Sequence, residues 1–174
     1  MAQWKGLAYA AGIIAAALIG YGAHRVRSAA SARHTAEDGL VMELLDNHVE
    51  SLVSGRLMDV QSTDQHTVKP WFAGKIDFAP RVPQLEARGY PLLGGRLGFL
   101  QGRRVAVLVY GYRKHVINVF VWRDSASTSA TPPAISSHAG YSAVRWNAGG
   151  LTHWAIADTG PAELAAFRTA FAAE

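Results

Sequence analysis

Cysteine is missing altogether from the 174 residues, which excludes disulfides, thiolate nucleophiles and Cys-ligated zinc or iron–sulfur sites together. The absence is compatible with a reducing cytosol and with an oxidising exterior alike. Missing too are the short signatures of the common enzyme classes: no G-x-S-x-G, no G-x-x-x-x-G-K-[ST], no H-E-x-x-H, and no GxGxxG at a strand–helix junction. The "GGRLG" of Gly94–Gly98 falls within a predicted hairpin and reads as a tight turn, with no helix to offer its N-terminus to a phosphate. No catalytic residue and no cofactor are expected, and the protein is read as a non-enzyme. Net charge is also absent from most of the chain. Four of the 17 Lys+Arg lie in the first 33 residues, and the other 13 are matched by 13 Asp+Glu, all further along. A neutral globular part has no footprint for nucleic acid, so no nucleic-acid partner is expected.

What the N-terminus does have is apolar length. "GLAYAAGIIAAALIGYGA", Gly6–Ala23, is uncharged and bounded by Lys5 and by His24-Arg25. As a helix it would rise about 27 Å, close to a bilayer's hydrocarbon thickness. Trp4 and Tyr21 near its ends suit the interface. An uncleaved single-span anchor over residues 1–33 is the expectation. The alternative is a cleaved signal peptide with Ala30–Ala32 as its A-x-A site, although Arg25 and Arg27 stand where such a region is normally free of cations. Counting Lys5 against Arg25, Arg27 and Arg33 would by itself place the following domain in the cytoplasm.

Residues 34–174 read as one α+β domain. Thr35–Gly55 shows an amphipathic helix, with Thr35 as a candidate N-cap, Gly55 as a C′ residue, and Leu44, Leu45, His48 and Leu52 on one broad face. His48 there reads as a buried, hydrogen-bonded side chain. Arg56–Thr63 partly alternates, and Gly89–Arg123 holds three apolar runs separated by Gly-Gly-Arg, Gln-Gly-Arg-Arg and Tyr-Arg-Lys, the pattern of antiparallel hairpins. Both faces of Val105–Tyr110 are apolar, which predicts a strand covered on both sides. Ser125–Ser137 reads as a Ser/Thr/Ala/Pro loop, Tyr141–Asn147 and Leu151–Asp158 as two more strands. The closing helix places Pro161 near N1 and Leu164, Phe167 and Phe171 on one face. The expected fold class is α+β: an N-terminal transmembrane helix, an amphipathic helix, a mostly antiparallel sheet and a C-terminal helix.

The densest chemistry lies in "DQHTVKPWFAGK", Asp64–Lys75. Pro70 should push Lys69 to extended backbone, and Trp71-Phe72 should anchor a shaped loop. Asp64 and His66 could pair as orienter and base, but no nucleophile is marked beside them. The candidate ligand or partner surface is therefore Asp64, His66, Lys69 and Trp71. No metal is expected; no two histidines lie three to five residues apart, so the alternative of a metal or small-ligand site on His66, His115 and His153 would have to be assembled by the fold. Trp122, Trp146 and Trp154 read as core.

"DVQSTDQHTVKPWFAGKIDFAPRVPQLEARGYPLLGGRL" (Asp59–Leu97), "GRRVAVLVYGYRKHVINVFVW" (Gly102–Trp122) and "GYSAVRWNAGGLTHWAIAD" (Gly140–Asp158) together resemble the extracytoplasmic domain of bacterial transmembrane anti-sigma factors. H-T-V-K-P-W-F-x-G-K is the most specific element. The resemblance spans residues 36–174 and the preceding apolar run. It implies a regulator at the inner membrane, single-pass, with its C-terminal domain in the periplasm, against the charge count above. The implied partners are the membrane and an extracytoplasmic-function sigma factor, engaged directly or through a separate sigma-binding protein. In that family a cytoplasmic N-terminal domain clasps the sigma factor, often with a His-x3-Cys-x2-Cys zinc motif. Only Met1–Lys5 precede the apolar run and cysteine is absent, so the sigma-binding half is expected outside these residues.

Overall fold

The computed structural model describes residues 35–123 and 134–174, together with Tyr21, His24, Arg25 and Ser31. The chain divides into two units, Met1–Leu40 and Val41–Glu174. In the first, the described residues are helical. The Thr35 hydroxyl donates to the Ser31 carbonyl at 3.1 Å, the i−4 bond of a residue inside a helix, so Thr35 is not the expected N-cap. The expected Gly6–Ala23 span and the Ala30–Ala32 site lie, apart from Tyr21 and Ser31, outside the described residues. No helix among the described residues is long and apolar enough to cross a membrane.

The second unit is built on one seven-stranded antiparallel sheet of order β1-β2-β3-β4-β7-β6-β5. The strands are β1 (Val60–Gln61), β2 (Leu92–Leu100), β3 (Arg103–Tyr112), β4 (His115–Arg123), β5 (Ala134–His138), β6 (Tyr141–Ala148) and β7 (Leu151–Ala157). Two meanders, β2-β3-β4 and β5-β6-β7, meet where β4 pairs with β7. The β3–β4, β5–β6 and β6–β7 turns each place a residue or two at positive φ: Arg113, Ala139-Gly140 and Gly149-Gly150. Such turns match the twist of adjacent strands.

Three expectations need correction here. The Gly-Gly-Arg of Gly94–Arg96 is not a turn; β2 runs through it, and the chain first reverses at Gln101-Gly102, the next expected turn. These glycines serve close approach. A Cβ on Gly94 would fall on the Val60 carbonyl oxygen of β1, and one on Gly95 would stand 2.9 Å from the Phe72 ring. Only Val60–Gln61 of the Arg56–Thr63 run pairs, because β1 meets β2 along two residues. The last residues of the Ser/Thr/Pro segment form β5, an edge strand whose pairing with β6 supplies a regularity that composition does not.

Both sheet faces are covered, as the two-faced apolar pattern of β3 predicts. Ala106, Leu108, Val119, Val144 and Ala155 share one face, which is closed by the segment from Val82 to Tyr90 and by the C-terminal helix α3 (Pro161–Ala172) through Leu164, Phe167 and Phe171. The buried Tyr110 hydroxyl donates to the Pro83 carbonyl at 2.9 Å and ties that segment down. Burial pushes the phenol above its usual range. The other face carries Val107, Asn118, Phe120 and Trp154, in register across β3, β4 and β7. Residues 35–53 are helical and are here α1. From Val41 onward α1 lies over this second face, with Val41, Leu44, Leu45 and His48 buried. Gly55, at φ +69°, ends it as expected. Trp122, Trp146 and Trp154 are core.

Candidate functional site

The Asp64–Lys75 run contains a helix, α2 (Gln65–Trp71), where a non-helical loop with Lys69 extended was expected. Asp64 caps it: its Oδ1 accepts the His66 N–H at 2.8 Å, and its carbonyl accepts Thr67 and Val68 at 3.1 Å each. Pro70 falls in the last turn, so its missing N–H removes one bond from a helix that ends one residue later. Phe72 and Ala73 close it with bonds to the Lys69 and Pro70 carbonyls at 3.3 and 3.0 Å. Val68 and Phe72, four residues apart on one side, are both fully buried against Gly95. Burial of two such side chains, worth roughly 1.5–3 kcal/mol each, outweighs one lost backbone bond at about 1 kcal/mol.

This placement turns the other side of α2 outward. Asp64, His66 and Lys69 are exposed, and Trp71 is half-buried. The four candidate residues are thus together, but Asp64 is committed to capping. Phe72 is the fully buried anchor, and half-buried Trp71 packs against the same core, as expected of the pair. The Trp71 ring takes the Lys75 ammonium over its face at 4.4 Å, and its carbonyl accepts that ammonium at 2.6 Å.

The metal alternative comes apart in the fold. His66 is on α2, beside the β1 edge. His115 and His153 lie on paired strands, but His153 is opposite Val121, six residues along β4 from His115. At 3.3 Å per residue they are roughly 20 Å apart. His115 Nδ1 instead stands 3.0 Å from Asp158 Oδ1, an ion-pair distance without hydrogen-bond alignment. His153 is buried, stacked on Trp146 at 5.1 Å, and burial lowers its pKa to about 4. No cluster of three metal-ligating side chains occurs among the described residues.

The seam between α1 and the sheet is where polar chemistry is hidden. His48 is 0% exposed, and neither ring nitrogen has a hydrogen-bond partner among the described residues. Its edge meets the Tyr141 ring at 5.6 Å. Burial lowers its pKa to about 4; Asp158 pulls it upward and Arg96 downward. The hydrogen bond expected of His48 is not made among the described residues. Asn118 Nδ2 donates to Ser51 Oγ at 3.3 Å while Asn118 Oδ1 has no partner among the described residues. Arg96, 7% exposed, reaches the Asn47 carbonyl at 3.3 Å and lies over Phe120, with its Nε unpartnered among the described residues. Removal from water lowers the Arg96 pKa, and Asp59 and Glu50 oppose that effect. Beside it a polar cleft of about 330 Å³ opens between α1 and β2, lined by Asn47, Glu50, Arg56 and Asp59.

Sequence reasoning singled out His48 but not Arg96 or Asn118. Arg96 sits in a glycine run that reads as a turn, and Asn118 is one polar residue in an apolar strand, the one local signal available. No protein-family model, no curated protein and no solved structure matches the chain.

Proposed function

We propose that the chain is a membrane-tethered, non-enzymatic regulatory domain of the anti-sigma type, held by an N-terminal span with the sheet domain on the periplasmic side. The partner is an extracytoplasmic-function sigma factor, reached directly or through a sigma-binding protein. One observation carries the mechanical part of this reading. The helix that follows the apolar N-terminal run sets His48 over a sheet face that carries Asn118 and Arg96, each of the three with polar atoms left unpartnered among the described residues. Each such buried atom costs about 1–3 kcal/mol. A helix seated on such a seam is released more readily than one seated on an apolar face, and a regulator needs two states of comparable free energy. The outward side of α2, with His66 and Lys69, is the surface offered to a partner.

The test uses the absence of cysteine. Ser51 and Asn118 face each other across the seam, so Ser51→Cys with Asn118→Cys introduces the sole pair of thiols. Deleting the gene should change the transcription of one sigma-dependent gene set, and the oxidised double-cysteine chain should hold that set in its uninduced state until reduced. An unchanged transcript profile on deletion would overturn the function. A normal response from the oxidised chain would overturn the part given to α1.

A further inference from the structure

A cluster of four cations lies away from the seam, where the turn after α2 meets the ends of β3 and β4. Between the Gly74–Phe78 turn and the adjoining ends of β3 and β4 is an open cleft of about 640 Å³, within the range of small-ligand sites. Lys75, Arg103, Arg104 and Arg123 line it, against one carboxylate, Asp77. None of the four cations has a carboxylate within 4.0 Å among the described residues. They are held by neutral groups. Arg104 Nη1 donates to the Lys75 carbonyl at 3.5 Å and Arg123 Nη2 to the Asp77 carbonyl at 3.3 Å. Arg103 bonds Gln101 Oε1 at 3.0 Å and lies over the Trp122 ring at 5.9 Å, while Lys75 rests on Trp71.

Four like charges gathered in one concavity repel one another, and a domain that is charge-balanced only when these four are counted has carboxylates with which it could quench them. Among the described residues it leaves them open. The arginines are tied through single N–H groups to carbonyl or amide oxygens, which leaves other guanidinium donors for the planar, bidentate recognition of an oxyanion. The cleft is not purely ionic, since Phe78, Ile76 and Trp122 provide an apolar wall. Its concavity suits a discrete molecule rather than a flat bilayer.

We propose that this cleft binds a small phosphate-bearing ligand with an apolar portion, the phosphate on Arg104 and Arg123, which face each other across β3 and β4, and the apolar portion against Ile76 and Phe78. The site stands independently of the regulatory reading above. Such chemistry could come from a soluble phosphate monoester or from a phospholipid headgroup.

Calorimetric titration of the purified full chain separates these, with hexyl phosphate as the monoester and dihexanoyl phosphatidylglycerol, below its micellar concentration, as the diester. Saturable one-to-one binding of either is expected, tighter hexyl phosphate indicating the soluble source and tighter phosphatidylglycerol the lipid. Inorganic phosphate should bind at least ten-fold more weakly than the preferred probe, and hexyltrimethylammonium not at all. Arg104→Ala with Arg123→Ala should weaken binding at least ten-fold. Arg113→Ala with Lys114→Ala, the same charge loss at the β3–β4 turn, should leave it within two-fold. A melting temperature for each variant separates lost binding from lost fold; should the first pair melt early, Arg104→Lys with Arg123→Lys replaces it, with the same weakening expected because the bidentate geometry is lost. Absence of saturable binding, equal binding of the ammonium probe, or equal weakening by both alanine pairs would overturn the proposal.

Discussion

Phe72 and His48 show what one side chain does on each face of the sheet. Phe72 is fully buried and its ring fills the space that Gly95 leaves by lacking a Cβ. Phe72→Ala should cost about 3–5 kcal/mol, read as a lower urea midpoint with an unchanged slope. His48 has the opposite character, because it is buried without partners among the described residues. Its folded pKa of about 4 lies below the ordinary 6.5, so the unfolded chain binds the proton more tightly. The stability this represents is complete above pH 6.5 and is lost as the pH falls towards 4. Between pH 7 and 5 the loss is about 2 kcal/mol for such a group, and buried His153 adds a similar amount. His48→Leu should therefore raise stability at pH 7 and roughly halve the loss between pH 7 and pH 5, as measured by urea unfolding at both values. An unchanged pH slope would refute the assignment.

At the scale of elements, α2 and β1 depend on each other through glycine. β1 is held by two register positions, Val60 opposite Gly95 and Gln61 opposite Gly94. Gly94→Ala puts a methyl group on the Val60 carbonyl, and this should detach β1 at a cost of about 1–3 kcal/mol. The Asp59 and Ser62 amides, which now bond the Gly95 and Leu93 carbonyls, should lose their hydrogen-exchange protection while those of β3 keep theirs. Asp64→Ala, which removes the cap from a seven-residue helix, should cost about 1 kcal/mol. The α1 seam makes a different prediction. With polar atoms beneath it unpartnered among the described residues, the α1 amides beyond Val41 should exchange through an opening of lower free energy than the β3 and β4 amides, which lie at the centre of the sheet. Equal exchange free energies for α1 and β3 would show that the seam is not the weak joint.

At the scale of the whole molecule, the join of the two meanders decides cooperativity. β4 and β7 pair from Asn118–Ile156 to Arg123–Leu151, and α3 closes over β5, β6 and β7 on the same face as the β2–β4 core residues. The shared core makes the two halves one unfolding unit. Tryptophan fluorescence, dominated by the β4, β6 and β7 indoles, and far-ultraviolet dichroism should therefore give coincident transitions.

Local pattern follows from residues close together along the chain. Alternation and polar turns mark β3, β4, β6 and β7, while 3.6-residue spacing marks α1 and α3, because these signals arise from side chains within one element. The same periodicity required β3 to be covered on both sides. The rest depends on packing between distant segments, since the cause in each instance lies far along the chain. Pro70 ends up in a helix because Val68 and Phe72 bury against Gly95. Gly94–Arg96 is strand because β1 and α2 approach it, and Ala134–His138 is strand because β6 offers an edge. Asp64, His66 and Lys69 were legible as a surface, being neighbours in sequence. The Arg96–Asn118–His48 seam and the Lys75–Arg103–Arg104–Arg123 cleft were not, because, adjacent Arg103-Arg104 apart, their members lie about 20 to 70 positions from one another and no local spacing records a contact made by folding.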